Sequence, residues 1–186
     1  MFRFLSLDKG NGWKKSLKAL ESQFGLKEND KAIIVSIVDQ KLYYIKNREL
    51  VRTYGISSSK YGMGYKENSN KTPLGVHRVY GKIGDGAKIL TIFKDKINTG
   101  EIAKLNAEKD KDRMITTRII RLEGMEEGVN KGQGIDSLKR DIYIHGTPEE
   151  ALIGKRASDG CIRMRNMDVV ELFDMVPEGT LVKIQL

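Results

Sequence analysis

A thiol, an imidazole and a polar turn are the groups in this chain whose types and spacing could carry covalent chemistry. Cys161 is the single cysteine, and it directly follows the turn-forming run Ser158-Asp159-Gly160; His145 ends a strand-like Ile142-Tyr143-Ile144 segment and is followed by Gly146 and Thr147. A thiol becomes a nucleophile when it is ionised, which needs a nearby base or positive charge and partial exposure. Cys161 stands outside any apolar run, with Arg163 and Arg165 just beyond it. A turn at this point would also leave the backbone N–H groups of Gly160 and Cys161 to face a developing oxyanion. Each residue has a bland reading beside the chemical one: a lone cysteine as a small buried hydrophobe, a lone histidine as a hydrogen-bonded structural ring. Spacing alone does not bring the two side chains together. For His77, inside Thr72-Pro73-Leu74-Gly75-Val76-His77-Arg78, alternation does not settle the face: it reads first as a sheet histidine with a satisfied ring and second as a residue of a substrate cleft.

Other chemistries find little support. One cysteine and two histidines cannot make a zinc finger or an intrachain disulfide, and no HExxH pair is present. No metal is therefore expected, although a site of histidine and carboxylates stays open. The glycines at 62, 64, 81, 84 and 86 fit neither GxGxxG nor GxxxxGK[ST], so they read as turns and not as a phosphate cradle. Lys and Arg number 33 against 25 Asp and Glu, a net charge of +8. That excess is spread without a run of five like charges and without interleaved aromatics, which reads as a solvated basic surface and not as a nucleic-acid face.

The elements that must position the thiol and the imidazole follow from hydrophobic pattern. A length of 186 residues fits one domain. Trp13, Leu17, Leu20 and Phe24 recur at helical spacing ahead of Gly25, predicting an amphipathic packing helix within an N-terminal extension over residues 1–30. From residue 31 the period shortens: AIIVSIV, KLYYIK and ELVRTYGIS predict a β-meander. Residues 57–71 are crowded with Ser, Gly and Asn and predict a long loop of the kind that is often functional. Further strands are expected at 76–80, 89–93, 114–122, 142–145 and 181–185. A short helix is expected after Asn166 as its cap, with Asp168 in the first turn and Pro177 beyond the end. The sum is a mainly β fold with flanking helices. The longest apolar stretch is far shorter than the roughly 20 residues of a membrane span, and no secretory leader is visible in the N-terminal residues.

The pattern HGT…SxGCIRMxN, with Lys71-Thr72-Pro73-Leu74-Gly75 upstream, resembles the catalytic domain of the L,D-transpeptidases of bacterial cell-wall synthesis, the YkuD-like family. The likeness runs over residues 31–186 and leaves residues 1–30 outside. It implies a YkuD-like β-sandwich with mixed or mostly antiparallel sheets. It also implies that Cys161 attacks a peptide carbonyl of a peptidoglycan stem, that His145 is its base, that Gly146 helps to orient the imidazole through its backbone, and that Gly160 shapes the turn. By the same resemblance Arg163, Ser158, Asp159, Thr147 and Asn166 border the substrate. Arg163 either holds a substrate carboxylate or makes a structural ion pair. Acyl transfer to an amine would crosslink third stem residues, transfer to water would make an L,D-carboxypeptidase, and a pocket with an inert thiol would make a wall-binding module. A periplasmic or cell-envelope setting, and a reaction that needs no cofactor, follow from the family; oligomeric state does not. One position departs from the usual SHGC: Asp159 replaces its histidine. A carboxylate there either opposes thiolate formation by repulsion or points outward from a turn that it favours. Loops 57–71 and 123–137 are the expected walls of the donor cleft.

Overall fold

The computed structural model describes residues 12–106 and 114–186. The first eleven residues of the expected N-terminal extension lie outside the described residues. Helix α1 (Gly12–Phe24) is followed by strands β1 (Lys31–Ser36), β2 (Lys41–Lys46), β3 (Glu49–Ser57), β4 (Gly75–Ile83), β5 (Thr91–Lys94), β6 (Ile97–Ile102), β7 (Ile115–Gly124), β8 (Tyr143–Gly146) and β9 (Ile162–Met164). Helix α2 (Asn166–Met175) and strand β10 (Leu181–Gln185) complete the chain. The fold is mostly β with flanking helices, as the pattern predicts.

The strands hydrogen-bond in the order β4-β10-β1-β2-β3-β9-β8-β7-β5-β6, and β4 also pairs with β7. The two layers of the expected sandwich are thus one curled sheet, closed where β4 meets β7, with the β5–β6 hairpin extending from it. Pairing is antiparallel except for β1 with β10 and β8 with β9. Closure removes most of the exposed edge and encloses the main core. Ile33 and Val35 of β1, Leu42 and Tyr44 of β2, Ile120 and Leu122 of β7, Ile144 of β8, and Ile162 and Met164 of β9 point inward against Val169, Leu172 and Phe173 of α2. Alternation then turns the intervening residues outward. On the far side Trp13, Leu17 and Leu20 of α1 cover Ala32, Ile34, Tyr43, Ile45 and Val76. Helix α1 is a packing element, since its apolar stripe is spent on the sheet.

Three details depart from the pattern. Strand β6, INTGEI, is exposed along its length and carries no apolar alternation; the adjoining turn, with φ of 49° at Asp95 and 69° at Lys96, brings it back against β5. Strand β9 is only three residues long, too short for a period. Asn166 does not cap α2 with its own side chain; Arg165 occupies the cap position without a side-chain bond, and Glu150 Oε1 accepts the Asn166 N–H at 2.8 Å.

Candidate active site

Strands β8 and β9 run parallel and side by side, with Ile144 opposite Ile162, His145 opposite Arg163 and Gly146 opposite Met164. Parallel neighbours need a crossover, and residues 147–161 supply it. Ile144 and Ile162 face the core, so His145, Arg163 and Cys161, two residues before Arg163, share the outer face. Strand spacing and rise put the α-carbons of His145 and Cys161 about 8 Å apart on the diagonal. Cys161 packs there against Phe93, Ile119 and Tyr143 and is half-buried.

The imidazole is held in one tautomer. His145 Nδ1 lies 2.7 Å from the carbonyl oxygen of Gly146, an acceptor only, so Nδ1 carries the proton and Nε2 keeps its lone pair. Burial lowers the His145 pKa to about 4, against the pull of the Gly146 bond and with help from the Arg163 charge. Above pH 5 the ring is a neutral base. Gly146 itself leaves no room for a side chain: a β-carbon there would stand 2.6 Å from the Thr116 carbonyl oxygen and 2.7 Å from Asn166 Oδ1.

Burial pushes the Cys161 thiol up to about 11. The backbone of Tyr143 and the charges of Arg163 and Arg140 act in the opposite direction, and Asp141 adds to the rise. The thiol donates to the Asp141 carbonyl at 3.3 Å. Arg165 plays no part in this field. Asp159 pairs with Lys60 at 3.4 Å. The carboxylate that opposes the thiolate belongs to Asp141.

The turn carrying Cys161 is tied down from several directions. Ser158 Oγ donates to the Cys161 carbonyl at 2.6 Å and accepts the Gly160 N–H at 3.3 Å. The Gly160 N–H is therefore engaged locally, not directed at an oxyanion as the turn suggested. Thr72 Oγ1 donates to the Gly160 carbonyl at 2.9 Å and accepts the Ser59 N–H at 3.0 Å, which attaches the start of loop 57–71 to the turn. Gly160 has φ +123°, where a side chain is strained.

Of the five residues expected to border substrate, four lie inside the framework. Arg163 is buried, and its guanidinium donates to Glu149 Oε2 at 2.7 Å; of its two sequence readings the structure shows the ion pair. Asn166 is buried, accepts from Thr116 and Thr117 at 2.7 and 2.5 Å, and donates to the Thr147 carbonyl and Glu150. Thr147 and Ser158 are also buried. Asp159 lines a cavity of about 180 Å³, with Glu67, Asn68, Asn70, Arg140 and Asp141 among its other walls. Loop 57–71 contributes to that wall. Segment 123–137 packs behind it: Asn130 Nδ2 donates to the Leu74 and Val76 carbonyls, and Ser137 Oγ lies 2.9 Å from His77 Nε2. His77 has the satisfied ring its strand suggested.

Sequence reading passed over Asp141, Tyr143 and Glu149. A signal existed for Glu149, since a Glu149-Glu150 pair beside His145-Gly146-Thr147 offers carboxylates for the arginines around Cys161. Asp141 has φ 54° and carries no periodic signature. Among the described residues no group of three or more His, Cys, Asp or Glu is arranged to hold a metal ion, and no helix is long and apolar enough to cross a membrane.

Residues 30–184 match the L,D-transpeptidase catalytic domain family, YkuD. The chain belongs to this family. YkuD of Bacillus subtilis is 57% identical over 49 residues, 26% of this chain and 30% of that protein. ErfK/SrfK of Escherichia coli is 58% identical over 41 residues, 22% of this chain and 13% of that one. The aligned segments thus cover less than a third of these relatives' length. Among solved structures, an L,D-transpeptidase from Mycobacterium smegmatis aligns with TM-score 0.54 and 18% identity over 84% of this chain and 59% of that one. L,D-transpeptidase 3 from Mycobacterium tuberculosis, in complex with a faropenem-derived adduct, aligns with TM-score 0.53 and 15% identity over 84% and 60%. At those identities the likeness concerns the fold. Helix α1 precedes the family match.

Proposed function

We propose that this L,D-transpeptidase-family domain exchanges acyl groups through a Cys161 thioester, with His145 as the proton carrier. The observation that carries the reading is the shared outer face of β8 and β9. It holds a sulfur and an imidazole whose Nδ1–H is committed to Gly146, leaving Nε2 as the acceptor. With a raised thiol and a lowered imidazole the resting pair is neutral, so His145 Nε2 removes the thiol proton as the sulfur attacks, acting as a general base. The sulfur–carbon bond forms at the carbonyl of the third stem residue. Collapse of the adduct breaks the amide, and the departing D-alanine amine takes the proton from His145. An amine of a second stem then gives its proton to His145 and attacks the thioester; the sulfur leaves and is reprotonated. Two lower barriers replace one high one. Water in place of the amine gives an L,D-carboxypeptidase. The cell envelope is where such a substrate lies.

The thiol resting on the Asp141 carbonyl favours one second reading, a peptidoglycan-binding module with an inert sulfur. Intact mass after incubation with a carbapenem separates the two. The expected result is one adduct per chain, absent in Cys161→Ala. An unmodified wild-type protein would leave the module.

A further inference from the structure

The β4–β7 junction that closes the sheet carries two cations without a counter-ion. Lys82 of β4 stands opposite Ile120 of β7, whose side chain points into the main core, and Arg118, two residues before Ile120, shares that inner face. Diagonal neighbours of this kind stand about 7–8 Å apart. Both side chains turn to one ring: Lys82 Nζ lies 4.2 Å and Arg118 Cζ 5.4 Å from the centroid of Phe173 on α2. Arg118 is only 7% exposed. Its Nη1 donates to the carbonyls of Ala87 and Thr117 at 2.8 and 2.7 Å, while its Nε is buried without a hydrogen-bond partner. Among the described residues no carboxylate forms an ion pair with either cation; Asp85, the acid nearest Lys82 in sequence, is exposed in the turn that follows. A ring face and carbonyl dipoles attract a cation without cancelling its charge. Two like charges held over one ring away from water raise the cost of both.

We propose that Lys82 and Arg118 form a binding site for a phosphoryl oxyanion, separate from the Cys161 face. Ile119, between Arg118 and Ile120, is the residue that packs with Cys161, so the two sites lie on opposite faces of β7. Two positive charges match the charge that a phosphate monoester carries near neutral pH, close to −2. Its tetrahedral oxygens can meet an ammonium and a guanidinium that do not lie in one plane, whereas a planar carboxylate is suited to a single guanidinium fork. Donors are to hand: among the described residues Lys82 Nζ and Arg118 Nη2 donate to no protein atom, and Lys82 is half-buried, which leaves a way in from solvent. The site also backs onto the imidazole. Thr117, whose carbonyl holds Arg118, donates its hydroxyl to Asn166 Oδ1, and that oxygen occupies the space beside Gly146. An anion here steadies the stretch of β7 behind His145.

Calorimetric titration of the full chain with inorganic phosphate, near neutral pH and at fixed ionic strength, tests the site. Two charged hydrogen bonds predict one saturable site with a dissociation constant on the order of 1 mM. Lys82→Met should weaken it about tenfold, the loss of one charged contact, and Lys82→Arg should retain it. Lys88, exposed beyond the adjoining turn, is the control: Lys88→Met lowers the net charge by the same amount and should leave the constant unchanged. Acetate should bind about tenfold more weakly than phosphate. Glycerol 1-phosphate separates two sources of the group. Binding equal to that of phosphate supports the phosphoryl end of an organic ester as ligand, and its exclusion supports the free ion. No saturable phosphate binding, equal weakening by Lys82→Met and Lys88→Met, or acetate bound as tightly as phosphate each overturns the site.

Discussion

The two histidines of this chain share nearly everything except what their second nitrogen meets. His77 on β4 and His145 on β8 are both buried, both have Nδ1 on a nearby backbone carbonyl, and burial lowers both pKa values to about 4. His77 Nε2 is 2.9 Å from Ser137 Oγ. Among the described residues His145 Nε2 has no hydrogen-bond partner, and its strand lies beside the one that follows Cys161. A depressed pKa thus marks burial in both cases, and only the environment of Nε2 separates a structural ring from a candidate base. Perturbed titration is a pointer to function that needs geometry beside it.

The comparison is broken or sharpened most strongly by paired substitutions. His145→Gln should slow thioester formation about a thousandfold, the range of a lost general base, while His77→Gln should leave the rate within about threefold. Rates of adduct formation with an electrophilic stem peptide check this, and comparable losses at both positions would erase the distinction.

Next in size is Glu149→Gln. The Arg163–Glu149 pair has side-chain exposures of 4% and 9%, and removing one partner from a buried pair costs about 3–5 kcal/mol. Denaturant unfolding should show that loss. Nothing comparable supports His77, whose charged neighbour Arg140 donates to the carbonyls of Gly64 and Lys71.

The smallest effect tests what the two rings share. Each has a folded pKa of about 4 against 6.5 unfolded, so the unfolded state binds more protons between those values. Stability is complete above pH 6.5 and is lost as pH falls toward 4, by about 1.4 kcal/mol per pH unit for each ring. Thermal melts from pH 7 to 4 should show a slope that is halved in His77→Gln. An unchanged slope would mean that this ring is protonated in the fold.

Much of the fold could be read from residue order. The meander, β7, β8, β10 and helix α1 follow from apolar period, because one buried face writes a repeat into the chain, and α2 follows from Asp168 in its first turn and Pro177 beyond its end. Strands β6 and β9 do not, since one is exposed throughout and the other is fixed by its neighbours alone. In the site, Cys161 and His145 stand out by type and Gly160 by its turn. Asp141, Tyr143 and Glu149 gain significance from their partners in the fold, and Arg163 and Asn166, expected at the substrate, are buried with partners at Glu149, Thr116 and Thr117 that their positions in the sequence do not announce.

Sequence alone determined which atoms could react, a single thiol after a tight polar turn and an imidazole at a strand end, because chemical type and turn propensity are local. The tertiary structure decided that the two face the same way, through the parallel crossover between β8 and β9. It also decided that the thiol rests protonated on Asp141 and that Asp159 turns to Lys60, because desolvation and charge pairing depend on what the rest of the chain packs around a group.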